Sequence, residues 1–192
     1  DFSILTVQPI AQSANKKHTL FTQLRASRAD HFGESELTTN LGIGYRRLIM
    51  DNKILLGANI FYDRAWDWNH HRFGYGAEAK WANFDLFANY YDATSNQQIK
   101  NGISERALDG FDTELRSQVP YIPLAKISGK FFRWDSIELN EDVKGYQASL
   151  EFNILPNIQI EAGLKDSNFE DDHNFIQVRF KLAGSFGKKH KL

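Results

Sequence analysis

Apolar and polar residues alternate with a period of two along most of this chain, in segments of about ten residues. Between positions 37 and 46, one face carries Leu37, Thr39, Leu41, Ile43 and Tyr45, and the other carries Asn40, Gly42, Gly44 and Arg46. The pattern recurs at 54–63, 72–81, 84–92, 146–152, 158–165 and 175–182. It predicts β-strands with one apolar and one polar face, each long enough to cross a bilayer at a tilt.

The connections between these segments alternate in length. Short ones are predicted at 51–53, 82–83, 120–123 and 155–157, and long polar ones at 27–36, 63–71, 92–107, 135–142 and 166–174. Outer-membrane barrels have short periplasmic turns and longer outer loops. The sequence therefore predicts an all-β protein, a transmembrane antiparallel up-and-down β-barrel of ten to twelve strands.

Ten strands are predicted between positions 17 and 182, and an eleventh at 2–10. Single-chain bacterial barrels have an even number of strands. Either the 2–10 segment lies outside the wall, or a further strand precedes Asp1. The up-down alternation favours the second alternative, a twelve-stranded parent.

The composition agrees with one such domain. We expect the barrel to occupy residues 1–182, and residues 183–192 to begin a C-terminal linker or tail. A formal net charge of -1 gives no basic stripe for nucleic acid, and no cysteine is present for a disulfide or a thiolate metal site. The mean hydropathy of -0.48 is compatible with a barrel, because half of each strand faces polar surroundings.

The polar face is predicted to line the lumen. Its candidate lumen residues are Asn59, Glu78, Lys80, Asn89, Glu114, Arg116, Gln147, Glu151, Glu161 and Arg179. We interpret the charges as ladders that neutralise one another across a narrow lumen, rather than as acid–base pairs. Gly74, Gly76 and Ala79 match G-x-G-x-x-A, but they lie within a strand instead of opening a helix. His70 and His71 point in opposite directions on an extended segment and cannot easily share a metal. No catalytic, cofactor or metal site is expected, and the chain is not expected to be an enzyme.

Aromatic residues are placed near both ends of the apolar faces. Those near short turns are Tyr45, Trp81, Phe84, Phe152 and Phe180, and those near long loops are Tyr62, Phe73, Tyr90, Phe111 and Tyr146. Two belts of rings that bracket an aliphatic band are typical of the two interfaces of a bilayer. The alternative interpretation is an ordinary β-core with aromatic edges.

The run LLGANIFYDRAWDWNHHRFGYGAEAKW, at 55–81, closely resembles the β-domain of inverse autotransporters, the intimin/invasin group of surface adhesins. The segments at 20–46, 104–130 and 150–165 are similar to other parts of that domain, in the same order. The resemblance implies a twelve-stranded barrel in the Gram-negative outer membrane that anchors and translocates an adhesive passenger. It also implies three partners: a bilayer with lipopolysaccharide, the outer-membrane assembly machinery, and a passenger in the pore.

Two other functions remain open from the sequence. The first is a stand-alone barrel without a passenger, acting as a pore or as a structural subunit of an envelope complex. The second is a soluble barrel that carries a lipid or another ligand.

Overall fold

Eleven strands of this chain form one closed barrel. The structure is a computed structural model that describes residues 2–31, 34–67, 69–95, 98–100, 103–136, 141–169 and 172–181. The strands of the barrel are β1 (Phe2–Gln12), β2 (His18–His31), β3 (Glu34–Ile49), β4 (Ile54–Ala65), β5 (His70–Trp81), β6 (Phe84–Ala93), β9 (Gly110–Gln118), β10 (Ala125–Trp134), β11 (Val143–Leu155), β12 (Ile158–Ser167) and β13 (His173–Lys181). Two short strands, β7 (Gln98–Lys100) and β8 (Ile103–Glu105), pair with each other in the connection between β6 and β9.

Neighbours in sequence are neighbours in the wall, as in an up-and-down barrel. Each successive pair is antiparallel, and β6 pairs directly with β9. The barrel closes where β1 runs parallel to β13, through four residue pairs from Phe2↔Val178 to Leu5↔Lys181. The predicted eleventh strand is therefore part of the wall, which excludes the alternative that this segment lies outside it. The described residues include no helix long and apolar enough to cross a membrane.

The two faces of the wall follow the sequence alternation. In β5, Gly74, Gly76 and Glu78 are buried inside the barrel, whereas Phe73 and Tyr75 are exposed on its outside. The outer face is rich in exposed apolar residues along the other strands too, such as Leu41 and Ile60. A soluble protein of this size would bury that surface in a core. Here the polar residues are enclosed and the apolar residues face outwards.

The short turns lie where the sequence predicts them. Met50, Asp51 and Asn52 have φ angles of 48°, 54° and 67°, which turns the chain sharply between β3 and β4. The long connections are shorter than predicted at two places. β2 and β3 stay paired as far as His31↔Glu34, and β4 ends at Ala65 with β5 beginning at His70. Polar residues at the strand ends continue the strand pairing beyond the apolar band. Polarity alone therefore overestimates the length of these loops.

Candidate functional site: the polar lumen

A first hydrogen-bonded layer runs along the inner wall on the long-loop side. Gln23 Nε2 donates to Asn40 Oδ1 (3.0 Å), Asn40 Nδ2 donates to Asp63 Oδ1 (2.6 Å), and Arg72 Nε donates to Asp63 Oδ2 (3.0 Å). The Arg72 guanidinium lies over the Tyr91 ring, 4.4 Å from its centroid. This layer therefore links the inner faces of five consecutive strands, β2 to β6.

The same layer continues through a second carboxylate. Asp112 is almost completely buried, and it accepts hydrogen bonds from Tyr91 Oη (2.9 Å) and Asn89 Nδ2 (2.8 Å). Lys130 Nζ lies 2.9 Å from the same carboxylate. Burying a carboxylate is costly unless donors surround it. Asp112 has three such donors, from β6 and β10.

A second layer lies closer to the short turns and contains most of the predicted charges. Glu78 pairs with Arg46 through two hydrogen bonds and with Lys80 at 3.5 Å. Lys80 Nζ and the Arg116 guanidinium each lie 5.1 Å from the centroid of the Phe87 ring. Phe87 thus connects the two groups of charges, because a ring face attracts cations.

Arg116 and Arg179 continue this layer around the far wall. Arg116 Nε lies 2.8 Å from Glu114, and its Nη1 lies 3.6 Å from Glu151. Glu161 accepts a hydrogen bond from Ser149 Oγ (2.6 Å) and pairs with Arg179 at 3.5 Å. The charges are neutralised locally along the wall, between residues on the same or nearby strands.

The remaining predicted lumen residues also lie on the inner face. Asn59 lies against Gly76 and close to Asn89, and it lines the lumen cavity. Gln147 lies on β11 between the buried inward residues Gly145 and Ser149. The structure therefore places all ten candidates of the polar face on the inside of the barrel.

Three inward-facing aromatic rings lie over glycines of a neighbouring strand, which the alternation of polar and apolar residues does not predict. Phe61 is the register partner of Gly74, and a side chain at Gly74 would overlap its ring. Phe21 covers Gly44 and Phe132 covers Gly145 in the same way. The signal was available, because each of these three aromatics has a glycine at its register position on a neighbouring strand.

Beside these rings the lumen contains a polar cavity of about 460 Å³. It is bounded by β2 to β6, and its walls include Arg25, Asn40, Asp63, Arg72 and Glu78. Barrels of about eight strands are filled by side chains, and those of sixteen or more leave an open aqueous channel. Eleven strands give an intermediate case, a lumen that is narrow and polar but not completely filled.

The predicted interface aromatics lie on the outer face in two groups. Nine of the ten are exposed, and Tyr62 is only half-buried, between Phe73 and His71. On the long-loop side, Tyr75 and Phe131 join the predicted residues. Phe131 lies 5.8 Å from Phe111 and 5.2 Å from Tyr146 between ring centroids. Trp81 and Phe84 stack at 5.8 Å on the short-turn side.

The structure also shows where the glycine motif and the two adjacent histidines lie. The G-x-G-x-x-A residues lie inside β5 and do not open a helix. His70 is buried beside Ser95, 3.2 Å away, whereas His71 contacts Tyr62 on the outer face. The two imidazoles therefore face opposite sides of the wall. His70 and His71 begin β5, although the loop predicted at 63–71 includes both residues.

The chain matches the family described as "Inverse autotransporter, beta-domain" over residues 2–191. It belongs to this family. The chain is therefore an outer-membrane β-barrel of a Gram-negative bacterium, and lipid surrounds its apolar outer face.

The chain is also similar to single proteins. The chain is 28% identical over 149 residues to "Uncharacterized protein YchO" of Escherichia coli (strain K12). That match covers 74% of this chain, which spans only 31% of that relative's length. A solved structure described as "Unveiling the Mechanism Behind the in-meso Crystallization of Membrane Proteins" has a TM-score of 0.72 at 21% identity, over 88% of this chain and 71% of that chain. A porin structure covers 88% of this chain and 59% of its own, at 13% identity and a TM-score of 0.44. Inverse autotransporter β-domains are structural or transport proteins.

Proposed function

We propose that this inverse autotransporter β-domain anchors a passenger polypeptide in the outer membrane and translocates it through the lumen, as in intimin/invasin-like adhesins. The observation that carries the proposal is the polar, incompletely filled lumen, with a cavity of about 460 Å³ beside its two charged layers. In this proposal the barrel provides a path and does no catalysis.

The lumen suits an extended polypeptide for a physical reason. A chain that crosses a membrane must find partners for its backbone N–H and C=O groups. Amide side chains such as Asn59, Asn89 and Gln147 lie on the inner wall and can both donate and accept. The ion pairs are formed along the wall, so a passing chain would not have to separate a charge from its partner.

The outer surface of the barrel is consistent with contacts to the bilayer, to lipopolysaccharide and to the assembly machinery. We propose that the two groups of exposed aromatics lie at the two bilayer interfaces, with the long-loop group on the side of lipopolysaccharide. The assembly machinery of the outer membrane would insert the barrel. Residues 183–192, proposed as the start of a linker or tail, lie outside the described residues.

A stand-alone barrel is the second candidate function. The eleven strands close on themselves, so the wall of the barrel is complete without contribution from a passenger. A closed wall of this kind is sufficient for a small pore or for a structural subunit of an envelope complex.

A surface-exposure experiment tests translocation. The full-length natural protein would carry an epitope just after Leu192, and antibody binding would be measured on intact and on permeabilised cells. We expect the epitope to be accessible on intact cells. A control epitope in the turn at 50–53 should be accessible only after permeabilisation.

Topology is checked separately in the same cells. The chain has no cysteine, so a single thiol at Asn69 or Asn168 can be labelled with an impermeant reagent. Labelling at these positions together with a hidden epitope after Leu192 would contradict translocation and favour the stand-alone barrel. Labelling at Asn52 and Asn157 instead would invert the barrel and contradict both proposals.

A further inference from the structure

Two arginines on the outer face of the barrel differ in whether a carboxylate neutralises them. On the long-loop side, Arg133 of β10 pairs with Asp142, and its Nε lies 3.8 Å from Asp135. Arg64 lies on the outer face at the same end of the barrel, because it follows Tyr62 of β4 by two residues. No carboxylate of the described residues forms an ion pair with Arg64. Its positive charge is therefore uncompensated on the side of the wall that faces lipid.

A tryptophan ring holds the Arg64 guanidinium in place. The guanidinium carbon lies 4.2 Å from the centroid of the Trp66 ring. Trp66 is itself fixed to β3, since its backbone N–H donates to Leu37 O (3.0 Å) and its Nε1 donates to Thr39 Oγ1 (3.0 Å). Arg64 Nη2 donates to a neutral oxygen, Asn69 Oδ1, at 2.9 Å. Arg64 Nη1 is not buried and has no hydrogen-bond partner in the described part of the chain, so this end of the guanidinium is open to a ligand.

Two further basic side chains lie beside this pair on the outer face. His71 is the register partner of Arg64 on β5, and its imidazole forms no hydrogen bond within the described residues. Arg28 lies two strands from Arg64, on β2, where it is exposed and is the register partner of Leu37. Leu37 in turn is bonded to the Trp66 backbone. We call these four residues the outer basic patch: Arg28, Arg64, Trp66 and His71.

The position of the outer basic patch along the strands matches the headgroup region of the bilayer. Tyr62 and Phe73 lie two residues closer to the apolar band than Arg64 and His71 on the same strands, or about 7 Å along each strand. Their rings, 5.3 Å apart between centroids, belong to the aromatic group of the long-loop side. A cation on the lipid face is strongly destabilising at the bilayer midplane and is tolerated near the interface. Lipid headgroups, rather than acyl chains, therefore surround the patch.

The carboxylates at this end of the wall do not neutralise the patch. Asp67 Oδ2 accepts a hydrogen bond from the Leu37 N–H at 3.0 Å, and Asp92 lies on β6. Neither forms an ion pair with Arg64 or His71 within the described residues. A planar guanidinium can bind a phosphate group with two parallel hydrogen bonds. The chemistry of the patch thus favours an anionic, phosphorylated headgroup.

We propose that the outer basic patch binds a phosphate group of lipopolysaccharide, with Arg64 as the residue that donates to the phosphate oxygens. His71 and Arg28 add donors and positive charge beside it, and the aromatic rings below the patch contact the acyl chains of the same lipid. The site rests on the proposed orientation of the barrel, with the long loops outside, because lipopolysaccharide occupies the outer leaflet.

Lipid binding by the purified full-length protein in detergent micelles tests the site. The protein would be titrated with diphosphorylated lipid A and with dephosphorylated lipid A, and bound lipid would be measured by native mass spectrometry. We expect the wild type to bind the phosphorylated lipid about tenfold more tightly, because charge strengthens its hydrogen bonds to the guanidinium. Arg64→Gln should lose most of this selectivity. Arg64→Lys should keep only part of it, because an ammonium group cannot form the two parallel hydrogen bonds.

Matched variants separate the site from a general attraction between phosphate and positive charge. Arg133→Gln removes a paired guanidinium from the outer face at the same end of the barrel. Arg47→Gln removes an exposed guanidinium from the outer face at the short-turn end. Both variants should keep the wild-type selectivity. Trp66→Leu removes the ring that holds Arg64 without changing any charge, and it should lower the selectivity. If Arg64→Gln does not give the circular-dichroism spectrum of the folded barrel, Trp66→Leu serves for the comparison.

Three results would overturn the proposal. They are equal affinity of the wild type for the two lipids, equal selectivity of the wild type and Arg64→Gln, and displacement of the lipid by an equal concentration of inorganic phosphate. Thiol labelling at Asn168 on intact cells tests the orientation separately. Labelling of Asn168 without lipid selectivity would overturn this site and leave the proposed orientation standing. Protection of Asn168 would contradict the orientation and, with it, the assignment of the ligand to lipopolysaccharide.

Discussion

Arg72 and Asp63 face each other from neighbouring strands, and Arg72 Nε donates a hydrogen bond of 3.0 Å to Asp63 Oδ2. The Asp63 side chain is 12% exposed, so its charge depends on this pair and on Asn40. We expect Asp63→Asn to lower the free energy of unfolding by about 1–3 kcal/mol, because it leaves the Arg72 guanidinium without a carboxylate. Denaturant unfolding of the refolded barrel measures this loss.

The double variant Asp63→Asn/Arg72→Gln controls for the loss of the carboxylate itself. Because it removes both charges, it should be more stable than Asp63→Asn alone. If the double variant loses the sum of the two single losses, Arg72 and Asp63 are not coupled, and the charged layer is not a connected network.

The packing of Phe61 over Gly74 predicts a different defect. A Cβ at position 74 would overlap the Phe61 ring, so Gly74→Ala should destabilise the barrel by about 1–3 kcal/mol through overpacking. Phe61→Ala should suppress much of the additional loss when the two are combined. The matched control is Gly129→Ala, because no atom lies within 4 Å of its added Cβ. Similar losses at Gly74 and Gly129 would mean that the ring does not cover the glycine.

Because lipid surrounds the outer wall, an introduced charge should destabilise the barrel much more on the outer face than on the inner face. Ile60 is 51% exposed on the outer face, and Arg at this position should cost about 2–4 kcal/mol near the bilayer midplane. Leu41→Arg and Ala88→Arg should behave similarly. Gln147→Arg on the inner face is the control and should be mild. Unfolding in lipid vesicles provides the comparison, and equal losses on the two faces would contradict our assignment of the faces.

The strands could be predicted from the sequence because successive side chains of a strand alternate between the two faces of the wall. The polarity of a strand residue such as Ile60 or Glu78 indicates whether its side chain faces the outside or the lumen, and no distant contact has to be known. The same rule placed the candidates Glu114, Glu151 and Arg179 on the inner face. Polarity failed within the predicted loop at 27–36, because residues 27–31 and 34–36 form strand.

Partners within the lumen could not be read from alternation alone. Arg116 pairs with Glu114 two positions away and with Glu151 two strands away, and choosing between them requires the register. The aromatic cover of glycines likewise becomes visible only when Phe61 is aligned with Gly74.

The β1–β13 seam gives the last prediction, and it concerns the number of strands. Ile4 and Phe180 are register partners on the outer face, and both are exposed. Adjacent strands place such partners within reach of a disulfide, which needs Cα atoms about 4.4–6.8 Å apart. Ile4→Cys/Phe180→Cys should therefore form a disulfide under oxidising conditions in the full-length protein. Ile4→Cys/Ile176→Cys shifts one thiol by four residues, or about 13 Å along the strand, and should not form a disulfide.

A strand inserted between β1 and β13 would separate Ile4 and Phe180 by about 10 Å and abolish the cross-link. Failure of the first pair, with the antiparallel pair Ile43→Cys/Ile60→Cys still forming a disulfide, would show that the natural barrel contains a twelfth strand at this seam.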